Sequence, residues 1–275
     1  MRAIPAFAVL ASVALAEALP PFVVLSKARS GTTWFLELLR QHPQVRVEGE
    51  ILLGASTSAE ATARLEAFGR EKRRGAAHVA VGFKLLDGQG GEALRDGAGN
   101  GTVAAWLERR RAKLLVLERE GLARLVSMRK HEAAVRDFDA LLAAGALHSK
   151  NEKYKCFSAD CVDRARARAV TLDASRVVRD LDREYDAWTQ LLAWVRRYTF
   201  ADVQYHAYRD LSRDPKCEMT RVFSFLGVPR FRVAANESTL KMGAATPRLD
   251  VANAADVEAA LAGTRWDGEL DRRFA

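Results

Sequence analysis

The apolar positions of the chain fall into short continuous runs separated by stretches of helical period. Phe22-Val23-Val24-Leu25 is such a run, preceded by Pro20-Pro21 and followed by a turn containing Gly31. An apolar run without polar alternation, bounded by turn residues, fits a strand buried on both faces. In 33–41, Phe35, Leu38 and Leu39 share one helical face, and Pro43 ends the helix. Further strands are expected at 79–86, 113–117, 169–172 and 203–205. A helix is expected at 121–132, with Leu122, Leu125, Val126 and Met128 inward. A longer one is expected at 173–197, with Val177, Leu181, Tyr185, Trp188, Leu191 and Leu192 on its apolar face and Asp173 or Ser175 as cap. A third is expected at 215–226, closed by Gly227 and Pro229. The Gly-rich stretch 87–101 reads as a surface loop. Strands alternating with helices predict an α/β fold. A central, mostly parallel sheet flanked by helices would form one domain over residues 20–275.

Composition narrows the class. Of 275 residues, 49% are apolar and 28% charged, which excludes disordered, collagen-like and rod-like chains. A chain of this length buries about 70–75% of its unfolded surface, so it needs neither disulfide nor metal for stability. Lys and Arg number 43 against 35 Asp and Glu, a net charge of +8, which favours a polyanionic partner without choosing among them. The basic clusters Lys72-Arg73-Arg74 and Arg109-Arg110-Arg111 carry no interleaved aromatics. They read as solvated helix faces, and no nucleic-acid partner is expected.

Met1-Arg2 precedes an apolar stretch over 3–16, shorter than the roughly 20 residues that span a bilayer. Ala14 and Ala16 stand where a signal peptidase cuts. Residues 1–19 are therefore expected to be a signal peptide or short signal anchor. The expected location is the secretory pathway, in the Golgi lumen or secreted, with weak membrane association through the N-terminus. The acceptor triplets Asn100-Gly101-Thr102 and Asn236-Glu237-Ser238 agree with a lumenal compartment. In such a compartment Cys156 and Cys161 could bridge, leaving Cys217 over. No Cys or His stands at ligand spacing near that pair, so no metal is expected.

The sharpest local feature is Ser26-Lys27-Ala28-Arg29-Ser30-Gly31-Thr32-Thr33-Trp34, between the first strand and the first helix. Gly31 lets the backbone turn close to a ligand, and amides at the helix N-terminus then point at an anion. Ser30, Thr32 and Thr33 add hydroxyls, and Lys27 and Arg29 add charge. These groups suit phosphate. The loop lacks the Gly-Lys-Ser/Thr that ends a nucleoside-triphosphate loop, so ATP chemistry is disfavoured.

The order basic-Ser-Gly-Thr-Thr-Trp after a strand resembles the 5′-phosphosulfate loop of the sulfotransferase superfamily. That resemblance implies a P-loop-like three-layer fold and the donor 3′-phosphoadenosine 5′-phosphosulfate (PAPS), with no metal. It assigns Lys27, Ala28, Arg29, Ser30, Gly31, Thr32, Thr33 and Trp34 to the donor phosphate, with Lys27 and Arg29 also catalytic. Arg119 and Ser127, eight apart across the next strand-to-helix junction, match the family's 3′-phosphate pair. A third stretch, Tyr208-Arg209-Asp210-Leu211 and then Phe225-Leu226-Gly227-Val228-Pro229, is similar to the family's C-terminal strand–loop–helix. The late Arg-Lys-Gly segment of the cytosolic members is absent, leaving Lys241 and Arg265-Trp266 as candidates to complete the phosphate site.

Sulfuryl transfer to a hydroxyl needs a base, cations for the sulfuryl and leaving oxygens, and in-line alignment. His42, His78, His131, His148 and His206 do not stand where the cytosolic members place theirs, and each reads as a surface or capping residue. His42-Pro43, Gly49-Glu50 and Gly82-Phe83-Lys84-Leu85 resemble carbohydrate-type and bacterial glycolipid-type members. Such members use a glutamate after the first helix. Glu50 is the closer match and Glu48 the alternative, with Lys84 able to steady the acceptor. The expected reaction is transfer from PAPS to a hydroxyl acceptor, a carbohydrate by resemblance. The rival readings are a nucleotide-dependent kinase on a similar fold and a nucleotide- or glycan-binding module without catalysis.

Overall fold

The computed structural model describes residues 19–71, 80–89, 102–143, 169–197, 202–234 and 246–272, with the side chains of 71 and 137–143 excepted. Five parallel strands form one sheet in the order β2-β3-β1-β4-β5: β1 Phe22–Ser26, β2 Val45–Glu48, β3 Ala80–Leu86, β4 Lys113–Glu118 and β5 Val203–Ala207. The central strand β1 pairs Val24 with Lys84 of β3 and with Leu115 of β4. All five of its residues are buried, as its unbroken apolar run predicts.

Because β1 is covered on both faces, its side chains divide between two cores. Val23 and Leu25 pack with Val81, Phe83, Leu114 and Val116 against three helices: α2 (Ser58–Glu71), α3 (Thr102–Arg110) and α5 (Val177–Arg197). Phe22 and Val24 pack with Leu115 and Leu117 against α1 (Thr32–Arg40) and α7 (Pro215–Leu226). The result is three layers. A third cluster joins α5 to α4 (Gly121–Ala143) and α8 (Ala254–Leu261) through Leu122, Leu125, Leu181 and Leu261. The short α6 (Tyr208–Arg213) links β5 to α7, and a 3₁₀ turn spans Pro247–Asp250. No helix among the described residues is long and apolar enough to cross a membrane.

Two expectations change. Residues 169–172 do not join the sheet. Val170 makes an isolated bridge to Val251, and the Leu172 amide donates to Asn253 Oδ1 (3.0 Å). Their apolar side chains serve the third cluster instead. The helix expected from 173 begins at Val177. Asp173 Oδ1 accepts from the Ser175 amide (3.0 Å) and hydroxyl (2.6 Å), a local turn that competes with helix. By contrast, α7 starts and stops as its sequence predicts. The Cys217 amide donates to Asp214 Oδ1 (2.9 Å), Pro215 opens the first turn, and Gly227 closes the helix at φ 78°.

The connections leave β1 towards β2 and β3 on one side, and cross to β4 on the other. The strand order therefore reverses at β1. In such sheets the crevice outside the carboxyl ends at the reversal is where ligands bind. The loop 27–31 lies there.

Candidate active site

The loop after β1 contains two left-handed residues, Arg29 at φ 66° and Gly31 at φ 85°. That conformation is free for glycine but uncommon for an L-residue. The peptide carbonyls beside Arg29 are both gripped. Arg124 Nε donates to Ala28 O (2.9 Å) and Arg119 donates to Arg29 O (3.3 Å). Gly31 is required for space as well. A Cβ there would lie 2.2 Å from Tyr208 Cε2. The Tyr208 ring is itself buried, edge-on to Trp34 (6.1 Å) and stacked beneath the Arg119 guanidinium (4.6 Å). The loop then opens α1, whose Phe35 amide bonds to Gly31 O (3.1 Å). The first amides of a helix make no intrahelical bond and favour an anion there.

A cavity of about 190 Å³ adjoins this loop. Lys27 and Ser30 line it from the loop, Arg119, Glu120 and Arg124 from the β4–α4 junction, and Glu184 and Trp188 from α5. Trp266 and Glu269 close it from the C-terminal segment. Its volume is below the roughly 300–1,000 Å³ of small-molecule pockets, so as it stands it suits phosphoryl groups better than a whole nucleotide. Two buried donors that line it, Ser30 Oγ and Arg119 Nε, have no partner, nor has the buried acceptor Glu120 Oε2; Arg29 Nε, in the adjoining loop, is a third unpartnered donor. Ser30 is 1% exposed. Leaving such donors unpaired is costly, and an anion bound beside the loop would satisfy donors of this kind, though not the Glu120 carboxylate.

Charge in the cavity is mixed. Burial lowers the pKa of the Arg29 and Arg119 guanidiniums; at Arg29 the nearby Arg119 adds to the drop, and Tyr208 opposes it at both. Burial also brings Arg124 down to about 10, against the pull of Asp87. Burial raises the Glu118 and Glu269 carboxyls above the usual range, with Arg272 opposing the shift at Glu269 and Glu120 adding to both. Lys27, read from sequence as a ligand group, is 7% exposed. Its Nζ lies 2.7 Å from Glu184 Oε2 and 3.2 Å from the Glu184 carbonyl.

On the other side of the loop, Glu50 and Lys84 meet. Lys84 Nζ lies 2.5 Å from Glu50 Oε1, and Gln89 donates its amide to Glu50 Oε2. Lys84 is 8% exposed, so the pair is held partly out of water. Glu48 faces elsewhere, bonded to Arg46 Nε on the edge strand (2.7 Å). Lys84 stands on β3 and Arg119 just past the end of β4, the two strands that flank β1. A carboxylate–ammonium pair and a phosphate-ready loop thus flank the end of β1.

The other sequence-singled residues divide. Ser127 is half-buried on α4 and does not line the cavity. Trp266 does, with its indole N–H on Asp182 (2.9 Å), while Arg265 bonds the same carboxylate and stacks on Tyr185 (4.4 Å). His42 is buried in a capping role: its Nδ1 accepts the Gln44 amide (3.0 Å), so Nε2–H donates to Pro229 O (3.0 Å). His206 is buried rather than on the surface, with Nδ1 2.8 Å from Glu218 Oε2 and Nε2 3.0 Å from the Gln204 carboxamide. Lys241, His78, His148, Cys156, Cys161, Asn100 and Gly101 of the first glycosylation triplet, the whole triplet Asn236-Glu237-Ser238, and residues 1–18 lie outside the described residues. Among the described residues, no group of three or more His, Cys, Asp or Glu is placed to hold a metal ion.

Arg124, Glu184, Tyr208 and Gln89 were not legible as site residues, although two of them carried a signal. Arg124 sits in the first turn of α4, where a positive charge opposes the helix dipole. Glu184 falls in the series Val177, Leu181, Glu184, Trp188, Leu191, Val195, an acidic residue on an otherwise apolar seam.

No curated protein sequence matches the chain. A sulfotransferase from Alicyclobacillus acidocaldarius is similar at 17% identity, over 87% of this chain and 94% of that one, with TM-score 0.44. A mouse sulfotransferase complexed with PAP is similar at 12% identity, over 81% of this chain and 62% of that one, with TM-score 0.40. The sulfotransferase domain of the Synechococcus PCC 7002 olefin synthase is similar at 16% identity, over 82% and 78%, with TM-score 0.40. The model of the sulfotransferase family matches residues 20–232.

Proposed function

This chain belongs to the sulfotransferase family, and we propose that it moves a sulfuryl group from PAPS to an acceptor hydroxyl, on a carbohydrate, with Glu50 as base. The observation that carries the donor reading is the pair of buried, unpartnered donors Ser30 Oγ and Arg119 Nε lining one cavity, with the unpartnered Arg29 Nε in the loop beside it. They suit the two phosphates of the donor: Arg29, Ser30 and the α1 amides for the 5′ group, Arg119 for the 3′ group, with Ser127 as its helical neighbour. Thr32, Thr33 and Trp34 complete the loop.

In the reaction, the Glu50 carboxylate accepts the acceptor's hydroxyl proton. The acceptor oxygen forms its bond to sulfur as the sulfur–oxygen bond to the 5′-phosphate breaks, and that electron pair goes to the phosphate. Arg29 and the loop amides stabilise the charge that develops there, which is where preorganised donors lower the barrier most. Lys84 holds Glu50 in orientation. The carbohydrate acceptor, secretory targeting of residues 1–19 and the domain limits 20–275 are part of the same proposal.

The test is turnover of labelled PAPS over a panel of sugar hydroxyls. Arg29→Ala should remove nearly all transfer in a variant that still folds. Transfer at the wild-type rate would refute the mechanism.

A further inference from the structure

The left-handed conformation of Arg29 needs an explanation, because an L-residue there costs about 1–2 kcal/mol. Such a residue persists only where its surroundings over-determine it. Here two guanidiniums grip the carbonyls on either side, Arg124 on Ala28 and Arg119 on Arg29. Arg124 is in turn held by an ion pair with Glu184, whose same Oε2 also binds Lys27 at the loop's start. Side-chain exposure is 8% for Lys27, 9% for Arg124 and 15% for Glu184. Glu184 therefore joins the root of the loop to the arginine that fixes its turn, across 157 residues of sequence on one side and 60 on the other.

Resting on the donor-loop reading above, we propose that Glu184 is a positioning residue for the 5′-phosphate loop. Through Arg124 it fixes the Ala28 carbonyl, and through Lys27 it anchors the end of β1. Arg29 is left as the loop's cation, with its Nε unpartnered. Lys27, with its ammonium on Glu184, acts as a strut at the start of the loop.

The test separates the loop from the rest of the nucleotide site and needs no acceptor. Dissociation constants are measured by calorimetry for adenosine 3′-phosphate and adenosine 3′,5′-bisphosphate, and their ratio reports what the 5′-phosphate gains from the loop. Glu184→Ala should lower that ratio by about tenfold, which is ~1.4 kcal/mol, while the constant for adenosine 3′-phosphate stays at its wild-type value. Glu184→Gln, which can still accept from Arg124, should recover part of the ratio. Since Glu184→Ala removes the carboxylate shared by two buried cations and can fail to fold, Arg124→Met is the second variant. It keeps the Lys27–Glu184 pair neutral, frees the Ala28 carbonyl, and should lower the ratio by a similar factor.

Equal weakening of both nucleotides would make Glu184 a support of the fold and overturn the proposal. A rise in the ratio would mean that the carboxylate competes with the 5′-phosphate for Lys27 and Arg124, and would also overturn it. A wild-type ratio near one would instead refute the donor-loop reading itself, and the role of Glu184 with it.

Discussion

Replacing Gly31 by alanine tests how tightly the phosphate loop is built into the fold. Two costs can be worked from the structure. Gly31 stands at φ 85°, where an L-residue costs about 1–2 kcal/mol. The added methyl would lie 2.2 and 2.3 Å from Tyr208 Cε2 and Cδ2, against an ordinary contact of about 3.5–4.0 Å. The ring cannot swing away cheaply. It is 8% exposed, with Trp34 at its edge and Arg119 on its face. Overpacking of this kind costs about 1–3 kcal/mol. The sum is about 2–5 kcal/mol, and at about 2–4 °C per kcal/mol for a domain of this size, Tm should fall on the order of 10 °C. Calorimetric unfolding of the purified variant measures it. Tyr208→Ala in the Gly31→Ala background should return the steric share, measured against Tyr208→Ala alone, and leave the backbone share. A Gly31→Ala protein that melts with the wild type would refute both the turn and the packing assigned here.

Two further predictions concern protons. Glu50→Gln, which keeps shape and the Gln89 and Lys84 neighbourhood but cannot accept the proton, should lower kcat by about 10²–10⁴ with the bisphosphate affinity unchanged; an unchanged kcat would remove Glu50 as the base. Burial holds the His206 imidazole below its ordinary pKa of 6.5, despite the opposing pull of Glu218. The unfolded chain therefore binds the proton first as pH falls. The stability tied to neutral His206 is complete above pH 6.5 and is lost as pH falls through the lower folded-state value. His206→Gln should flatten the drop in urea midpoint between about pH 7.5 and 5.5; a variant that loses as much as the wild type would contradict this.

The parts of the fold legible in sequence are those where one local pattern decides the outcome. β1 reads as an unbroken apolar run because it is buried on both faces, and α7 reads from Asp214, Pro215 and Gly227 because caps are local chemistry. β2 is four residues long and lies on the sheet edge with alternating burial, too short a pattern to register between His42 and Glu50. Residues 169–172 have a strand's composition, but Val170 bridges Val251 and their apolar side chains go to the third core cluster instead. In the site, residues within one turn of a motif were visible: Arg29, Ser30, Gly31, Arg119 and Glu50. Glu184 and Tyr208 were not, because their relation to the loop exists only once α5 and β5 are placed beside β4 and the third core cluster is formed. Lys27 was visible as a cation, but its partner was not, and the partner decides what a buried cation can do.

The most direct test of the account is thermal unfolding with added adenosine 3′,5′-bisphosphate, compared with ATP, AMP and sulfate. A ligand at about 100 times its dissociation constant stabilises the folded state by about 2.7 kcal/mol. The account predicts a rise in Tm with the bisphosphate that ATP, AMP and sulfate do not match, and that Arg29→Ala abolishes. No rise, or an equal rise with ATP, would contradict the assignment of the loop and cavity to a 3′-phosphorylated donor.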